Sequence, residues 1–305
     1  MSQFNQNLNE WQKSGEMKSV LSDNFEVFCK IIGNKNSDAN KTALLLHGFP
    51  ESSYSYHRVV EGLQSNFDRI ILFDFLGFGM SDKPLDHNYN MMEQAQIALE
   101  VWESLGVKGG HLIAHDMGDS VATELVALSN ERKIGNWFSD GFQSITFTNG
   151  GMVIELAELR VMQKLMLNPI LGPLLSRISQ YKAFKQQVYS ANGSDRLDET
   201  EVETMWTAFR SGNGKKIGHF LINYLNDRYT YQNIRWLPAL KDTTLPIHLC
   251  WGELDAVAPI AIPEKLVNNI CPDASFTRMT ETGHFCQMDN PDKWLKSILD
   301  YYQKN

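Results

Sequence analysis

Apolar residues recur along this chain in two alternating rhythms. Short runs rich in β-branched and aromatic residues, at 25–32, 42–46, 69–74, 110–115, 144–148, 246–251 and 274–279, predict strands. Longer stretches with apolar residues at helical spacing, at 91–105, 117–130, 261–269 and 291–303, predict helices. This alternation is the pattern of an α/β protein, a mostly parallel central sheet flanked by helices. Between 153 and 240 the strand signal vanishes, and helical stretches carrying Leu, Met, Phe and Trp replace it until the alternation resumes at Leu245. The pattern therefore predicts a core domain formed by 1–152 and 241–305, with a helical cap over 153–240 inserted between two strands of one sheet.

Composition narrows the class. A chain of 305 residues buries a full sheet without a disulfide scaffold. Its four cysteines, Cys29, Cys250, Cys271 and Cys286, form no CxxC pair and no metal-ligand spacing, which fits a reducing compartment. No run approaches the roughly 20 apolar residues of a membrane span, and the polar start MSQFNQNLNEWQKSGE lacks the apolar stretch of a signal peptide. A cytoplasmic location is expected, with no membrane partner. A formal net charge of -8 argues against nucleic acid and for a neutral small molecule. Oligomeric state is not legible.

The segment GGHLIAHDMGDSVATEL has the layout of a nucleophile elbow. An apolar strand ends at Ala114 and His115, Asp116 follows, and a helix begins at once. So sharp a turn strains its central residue and requires small residues two before and two after, here Ala114 and Gly118. Taken alone, an Asp ahead of a helix is an N-cap. Two later segments change that. The strand IHLCW runs into Gly252-Glu253-Leu254-Asp255, and the last strand runs into Glu281-Thr282-Gly283-His284. Nucleophile, acid and histidine thus follow in the order such an elbow requires, on loops leaving one edge of a parallel sheet. In HGFPESSY, after the strand TALLL, Gly48 permits a tight turn, and the N–H of Phe49 pairs with that of Met117 as a candidate oxyanion hole.

Together with DFLGFGMSDKP at 74–84, these segments resemble the α/β-hydrolase superfamily, specifically its branch of epoxide hydrolases and haloalkane dehalogenases, where Asp replaces Ser at the elbow. DFLGFGMSDKP, HDMGD, FTNGG at 147–151 and the cap stretch from MWTAFR to INYLNDR further resemble the mesoderm-specific transcript-like proteins, a group whose membership implies no settled substrate. The resemblance implies a nucleophile at Asp116, an acid at Asp255, a base at His284, oxyanion donors at Phe49 and Met117, and no cofactor.

A carboxylate nucleophile suits attack on saturated carbon, because it leaves an ester that water can cleave, whereas serine would leave an ether. Epoxides and alkyl halides are the two leading substrate kinds, both small and hydrophobic, with water as co-substrate. The dehalogenases this chain resembles stabilise the halide with a Trp after the nucleophile and an Asn or Trp nearby, places held here by Met117 and Phe49. Epoxide hydrolases use cap tyrosines, and LINYLN at 221–226 resembles their LNWYRN segment, which puts Tyr224 on one ring-opening tyrosine. Tyr189 or Tyr181 is the candidate for the other. Trp206, among Met162, Met166, Phe209 and Phe220 at helical spacing, and His47 beside Gly48 complete the candidate substrate-binding set with Tyr224 and Tyr189. Epoxide hydrolysis is expected ahead of dehalogenation. The rivals are a serine esterase using Ser120 and a small-ligand-binding protein with little turnover.

Overall fold

A computed structural model describes residues 3–22 and 24–304. Eight strands form one sheet: β1 (Gly15–Val20), β2 (Phe25–Gly33), β3 (Thr42–Leu46), β4 (Arg69–Phe73), β5 (Gly109–His115), β6 (Gly141–Thr148), β7 (Ile247–Gly252) and β8 (Ser275–Met279). Their spatial order is β1-β2-β4-β3-β5-β6-β7-β8. The pairs β1/β2 and β2/β4 are antiparallel, and every other neighbouring pair is parallel.

The all-apolar runs arise because both faces of the sheet are covered. Successive side chains point to opposite faces, so Leu44, Leu46, Ile71, Phe73, Leu112 and Ala114 join one buried cluster. Ala43, Leu45, Ile70, Leu72 and Ile113 join the other. The first cluster is closed by the helices Met91–Ser104 and Met117–Asn130, through residues such as Ile97, Trp102, Val121 and Leu125. Trp294 and Ile298 of the helix Pro291–Tyr302 close the second, with Leu63 and Trp11.

The strand β1 and the helix Gln3–Gln12 are absent from the sequence expectations, as are the short helices Val60–Leu63 and Cys286–Asp289. The strand β1, GEMKSV, is mostly polar because it lies at the sheet edge with little of it buried. The helix Gln3–Gln12 is similarly polar, and it buries only Leu8 and Trp11 among its described side chains.

Between β6 and β7 the described residues form helices and turns without a strand: Val161–Met166, Leu171–Ile178, Tyr181–Asn192, Glu199–Arg210, Gly214–Leu221, Tyr224–Tyr231, a π-helical turn over Gln232–Trp236, and Leu237–Asp242. Local chemistry sets several starts. Asp198 accepts the Thr200 N–H, and Pro238 sits in the first turn of the last of these helices, where a missing N–H costs nothing. The segment returns to the core through Arg235, which pairs with Glu124 of the helix Met117–Asn130 at 2.7 Å.

Candidate active site

The carboxyl ends of the parallel strands deliver their following loops to one sheet edge, where open α/β folds place ligands. Asp116 follows β5, Phe49 lies three residues past β3, Asn149 follows β6, Asp255 lies three past β7, and His284 five past β8.

Asp116 has φ 45° and ψ −106°, left-handed backbone that costs a non-glycine residue of order 1–3 kcal/mol. Packing enforces it. A Cβ on Gly118 would lie 2.6 Å from the Leu46 carbonyl oxygen, and one on Gly48 would lie 2.8 Å from the Asp116 Cβ, so only glycine lets these segments approach. The Asp116 side chain does not cap the helix that follows. Its Oδ2 instead accepts the Phe49 N–H at 3.1 Å. Met117 opens the helix, so its N–H belongs to the first-turn donors that have no intrahelical acceptor.

His284 is buried and its Nδ1 donates to Asp255 Oδ2 at 2.8 Å. Burial disfavours the imidazolium, but the charge and hydrogen bond of Asp255, then the charges of Asp116 and Glu51, outweigh it and raise the pKa to about 9. Asp255 is fixed from every side. Its Oδ1 accepts the N–H groups of Val257 and Ala258 at 2.7 and 2.8 Å, and its Oδ2 also accepts the Asn149 amide at 2.7 Å. Asn149, at φ 53°, accepts the Gly252 N–H on its other amide atom at 3.0 Å, so it clamps the acid's loop to β6.

The residue that sequence reasoning missed is Arg228, on the helix Tyr224–Tyr231. It is 2 % exposed. Its Nη2 donates to the Asp116 carbonyl at 2.7 Å and lies 3.3 Å from Asp116 Oδ1, while its Nε donates to Ser120 Oγ at 2.9 Å. Burial raises the Asp116 pKa, but Arg228 foremost, then His284, His115 and the Phe49 N–H, bring the net shift below the ordinary value. Asp119, one turn on, is pushed well above it by burial, leaving the Arg228 charge to Asp116. Nothing in the sequence between β6 and β7 distinguishes this Arg from a surface base.

Behind the Phe49 turn lies a second buried group. Glu51 accepts the Gly48 N–H at 2.9 Å and the Gln287 amide at 2.8 Å, and stands 3.3 Å from His115 Nε2. Burial pushes Glu51 up to about 8 and His115 down to about 3, so at neutral pH this is a protonated acid beside a neutral imidazole.

A cavity of about 510 Å³ opens over these groups. Asp116, His284 and Phe49 line it from the core, and Met162, Met166, Phe184, Val188, Phe209 and Ile222 from the helices above. The other proposed substrate-binding residues stand elsewhere. Tyr224 is buried behind the lining, its ring 5.7 Å from that of Phe49 and 4.7 Å from the Arg228 guanidinium, with its hydroxyl on Gln163, which does line the cavity. Trp206 packs on Phe184 and Phe209 without reaching the lining, and Tyr189 lies beneath Lys185. His47 braces two loops: Nδ1 donates to the Gly48 carbonyl at 2.8 Å, and Nε2 accepts the Phe75 N–H at 3.1 Å. The sequence placed these four between β6 and β7 or on the loop after β3 but could not show which way each side chain turned. Ser120 lies within the helix after Asp116 and accepts from Arg228, away from the cavity lining.

Residues 42–291 match the family described as alpha/beta hydrolase fold. The chain belongs to the α/β-hydrolase family. This α/β-hydrolase is 31% identical over 301 residues to the mesoderm-specific transcript homolog protein of Homo sapiens, covering 96% of this chain and 87% of that one. Among solved structures it is similar to the epoxide hydrolase CorEH (TM-score 0.73, 16% identity, 95% and 98% of the two chains). It is also similar to the haloalkane dehalogenase DbeA of Bradyrhizobium elkani (TM-score 0.74, 19% identity, 95% and 98%). No helix among the described residues of this α/β-hydrolase is long and apolar enough to cross a membrane.

Proposed function

We propose that this hydrolase acts through a covalent ester on Asp116 and that its substrates are apolar epoxides. The observation that carries the reading is the position of Asp116: strained at the tip of the elbow, oriented by the Phe49 N–H, and facing a largely apolar cavity that His284 shares.

In the first step an oxygen of Asp116 attacks a ring carbon, the carbon–oxygen bond of the epoxide breaks, and the nascent alkoxide takes a proton. The proposed donor is Tyr224, a phenol whose pKa burial raises and whose hydroxyl rests on Gln163 of the cavity lining, from which it turns into the cavity to reach the alkoxide. A phenol so held still protonates an alkoxide, which is the stronger base. Alkylation then cancels the Asp116 charge, one of the charges that keep His284 protonated. The His284 pKa drops, and the imidazole becomes a base at the step that needs one. It takes a proton from water, hydroxide adds to the Asp116 carbonyl carbon, and the N–H groups of Phe49 and Met117 hold the oxyanion. Collapse expels the alkoxide, which takes the proton from His284 to complete the diol, and the Asp116 carboxylic acid so formed passes its proton to His284 as the carboxylate is restored; the proton that His284 lost on alkylation returns the Tyr224 phenolate to the phenol.

One observation favours a second reading. The Arg228 ion pair lowers the basicity of Asp116, and a carboxylate so stabilised attacks slowly. A ligand-binding protein with weak turnover has the same geometry. Dehalogenation gains less from this site, since the cavity lining includes no Trp or Asn side chain to receive a halide.

The test is mass spectrometry of wild type and His284→Gln after incubation with a panel of alkyl and aryl epoxides and haloalkanes. An added mass on the Asp116 peptide of the variant, from an epoxide and not from a haloalkane, is the expected result. Labelling by haloalkanes alone selects the dehalogenase. No label from any member removes the ester mechanism and leaves the binding protein.

A further inference from the structure

Six of the eleven large apolar side chains exposed among the described residues fall within eighteen positions: Val161, Leu165, Ile170, Leu171, Leu174 and Ile178. They sit on two consecutive cap helices, Val161–Met166 and Leu171–Ile178, and on the turn between them. Ile170 is 80% exposed and Val161 74%, far beyond the scattered apolar exposure normal on a protein surface.

The charge around them is equally uneven. In a chain of net charge -8, residues 159–194 contain no Asp or Glu and five bases, Arg160, Lys164, Arg177, Lys182 and Lys185. Lys185 pairs with Glu199, but Lys164, Arg177 and Lys182 are exposed and in no ion pair among the described residues. Charge counted over the whole chain hides this local excess. The patch also adjoins the cavity, because Arg160, Leu175, Ile178 and Lys182 belong to the cavity lining.

We infer that this face of the cap docks on an anionic lipid surface, its aliphatic side chains entering the acyl boundary and its bases meeting the headgroups, so that the cavity takes apolar substrate from the bilayer. Exposed aliphatic residues combined with unpaired bases are the signature of an interfacial element, which lies on a membrane and does not span it. The absence of a spanning run, from which no membrane partner was expected, does not bear on such contact. The inference stands on the cap surface and does not depend on Asp116 being the nucleophile.

The test is flotation of the full chain with vesicles of pure phosphatidylcholine and of equal parts phosphatidylcholine and phosphatidylglycerol, at low and high salt. Wild type is expected to float with the anionic vesicles, less so at high salt. Ile170→Asp/Leu174→Asp, neither residue lining the cavity, should weaken partitioning by about tenfold or more while leaving the circular dichroism melt and any Asp116 labelling unchanged. Failure of wild type to float, equal binding to neutral vesicles, or unaltered binding by the double variant overturns the proposal. So does elution of wild type as a dimer that the double variant converts to monomer, which makes this face a self-association surface.

Discussion

Arg228, carried by a helix of the segment between β6 and β7, holds both the carbonyl and the carboxylate of Asp116 at the tip of β5, at 2.7 and 3.3 Å. Two parts of the molecule far apart in sequence are thereby locked at the candidate nucleophile. Because the pair is buried, neither partner can be removed without leaving a charge in a medium that does not solvate it.

Arg228→Ala should therefore destabilise the fold by about 3–5 kcal/mol, as for other buried pairs broken from one side. Arg228→Lys keeps the charge but cannot bond Ser120, the Asp116 carbonyl and the carboxylate together, so it should fold and label Asp116 at an altered rate. Urea denaturation and adduct kinetics read the two effects. An Arg228→Ala protein as stable as wild type contradicts the ion pair.

Asp116→Asn removes the proposed nucleophile and leaves Arg228 without its anion. Loss of all labelling on this peptide is expected, together with a lower denaturation midpoint. Restoring the midpoint with Arg228→Met in the same chain would show that the cost came from the unpaired guanidinium and not from the elbow backbone.

Stability should fall as pH rises, because the folded chain retains protons that the unfolded chain has released. For Glu51, raised by burial from 4.5 to about 8, the contribution is whole below 4.5 and lost as pH climbs through 8. For His284, where Asp255 overcomes the effect of burial and the pKa moves from 6.5 to about 9, it is whole below 6.5 and lost on passing 9. Glu51→Gln, with no proton to lose, should flatten the lower part of this decline, and His284→Gln the upper part. Denaturation midpoints across pH 5–10 check both, and a slope unchanged in both variants refutes the assignment.

Asn149→Ala should cost about 1–3 kcal/mol by orphaning the Gly252 N–H and by placing alanine at a positive φ. It also removes the amide that steadies Asp255. If Asp255 orients the base, this variant accumulates the Asp116 ester more than wild type does, whereas a purely structural role lowers the midpoint without any accumulation.

The alternation of short apolar runs and amphipathic stretches sufficed for the architecture, since a strand covered on both faces is apolar throughout, and all seven predicted strands end within a residue of the observed one at their C-terminal side. The polar edge strand β1 and the helix Gln3–Gln12 escaped because they bury too little to leave a periodic signal. The meeting of Asp116, Asp255 and His284 at one sheet edge was legible for a local reason: each follows a strand end, and parallel strands deliver their ends to one edge whatever else the chain does. Orientation and long-range pairing were not legible. Whether Trp206 and Tyr189 turn toward the cavity or into neighbouring helices depends on packing among those helices, and His47 and Asn149 found their bracing roles through partners 28 and 103 residues away. Arg228 meets Asp116 across 112 residues of sequence. Only the folded chain brings that charge to the elbow, because burial of an arginine is decided by what packs around it and by no property of the residue itself.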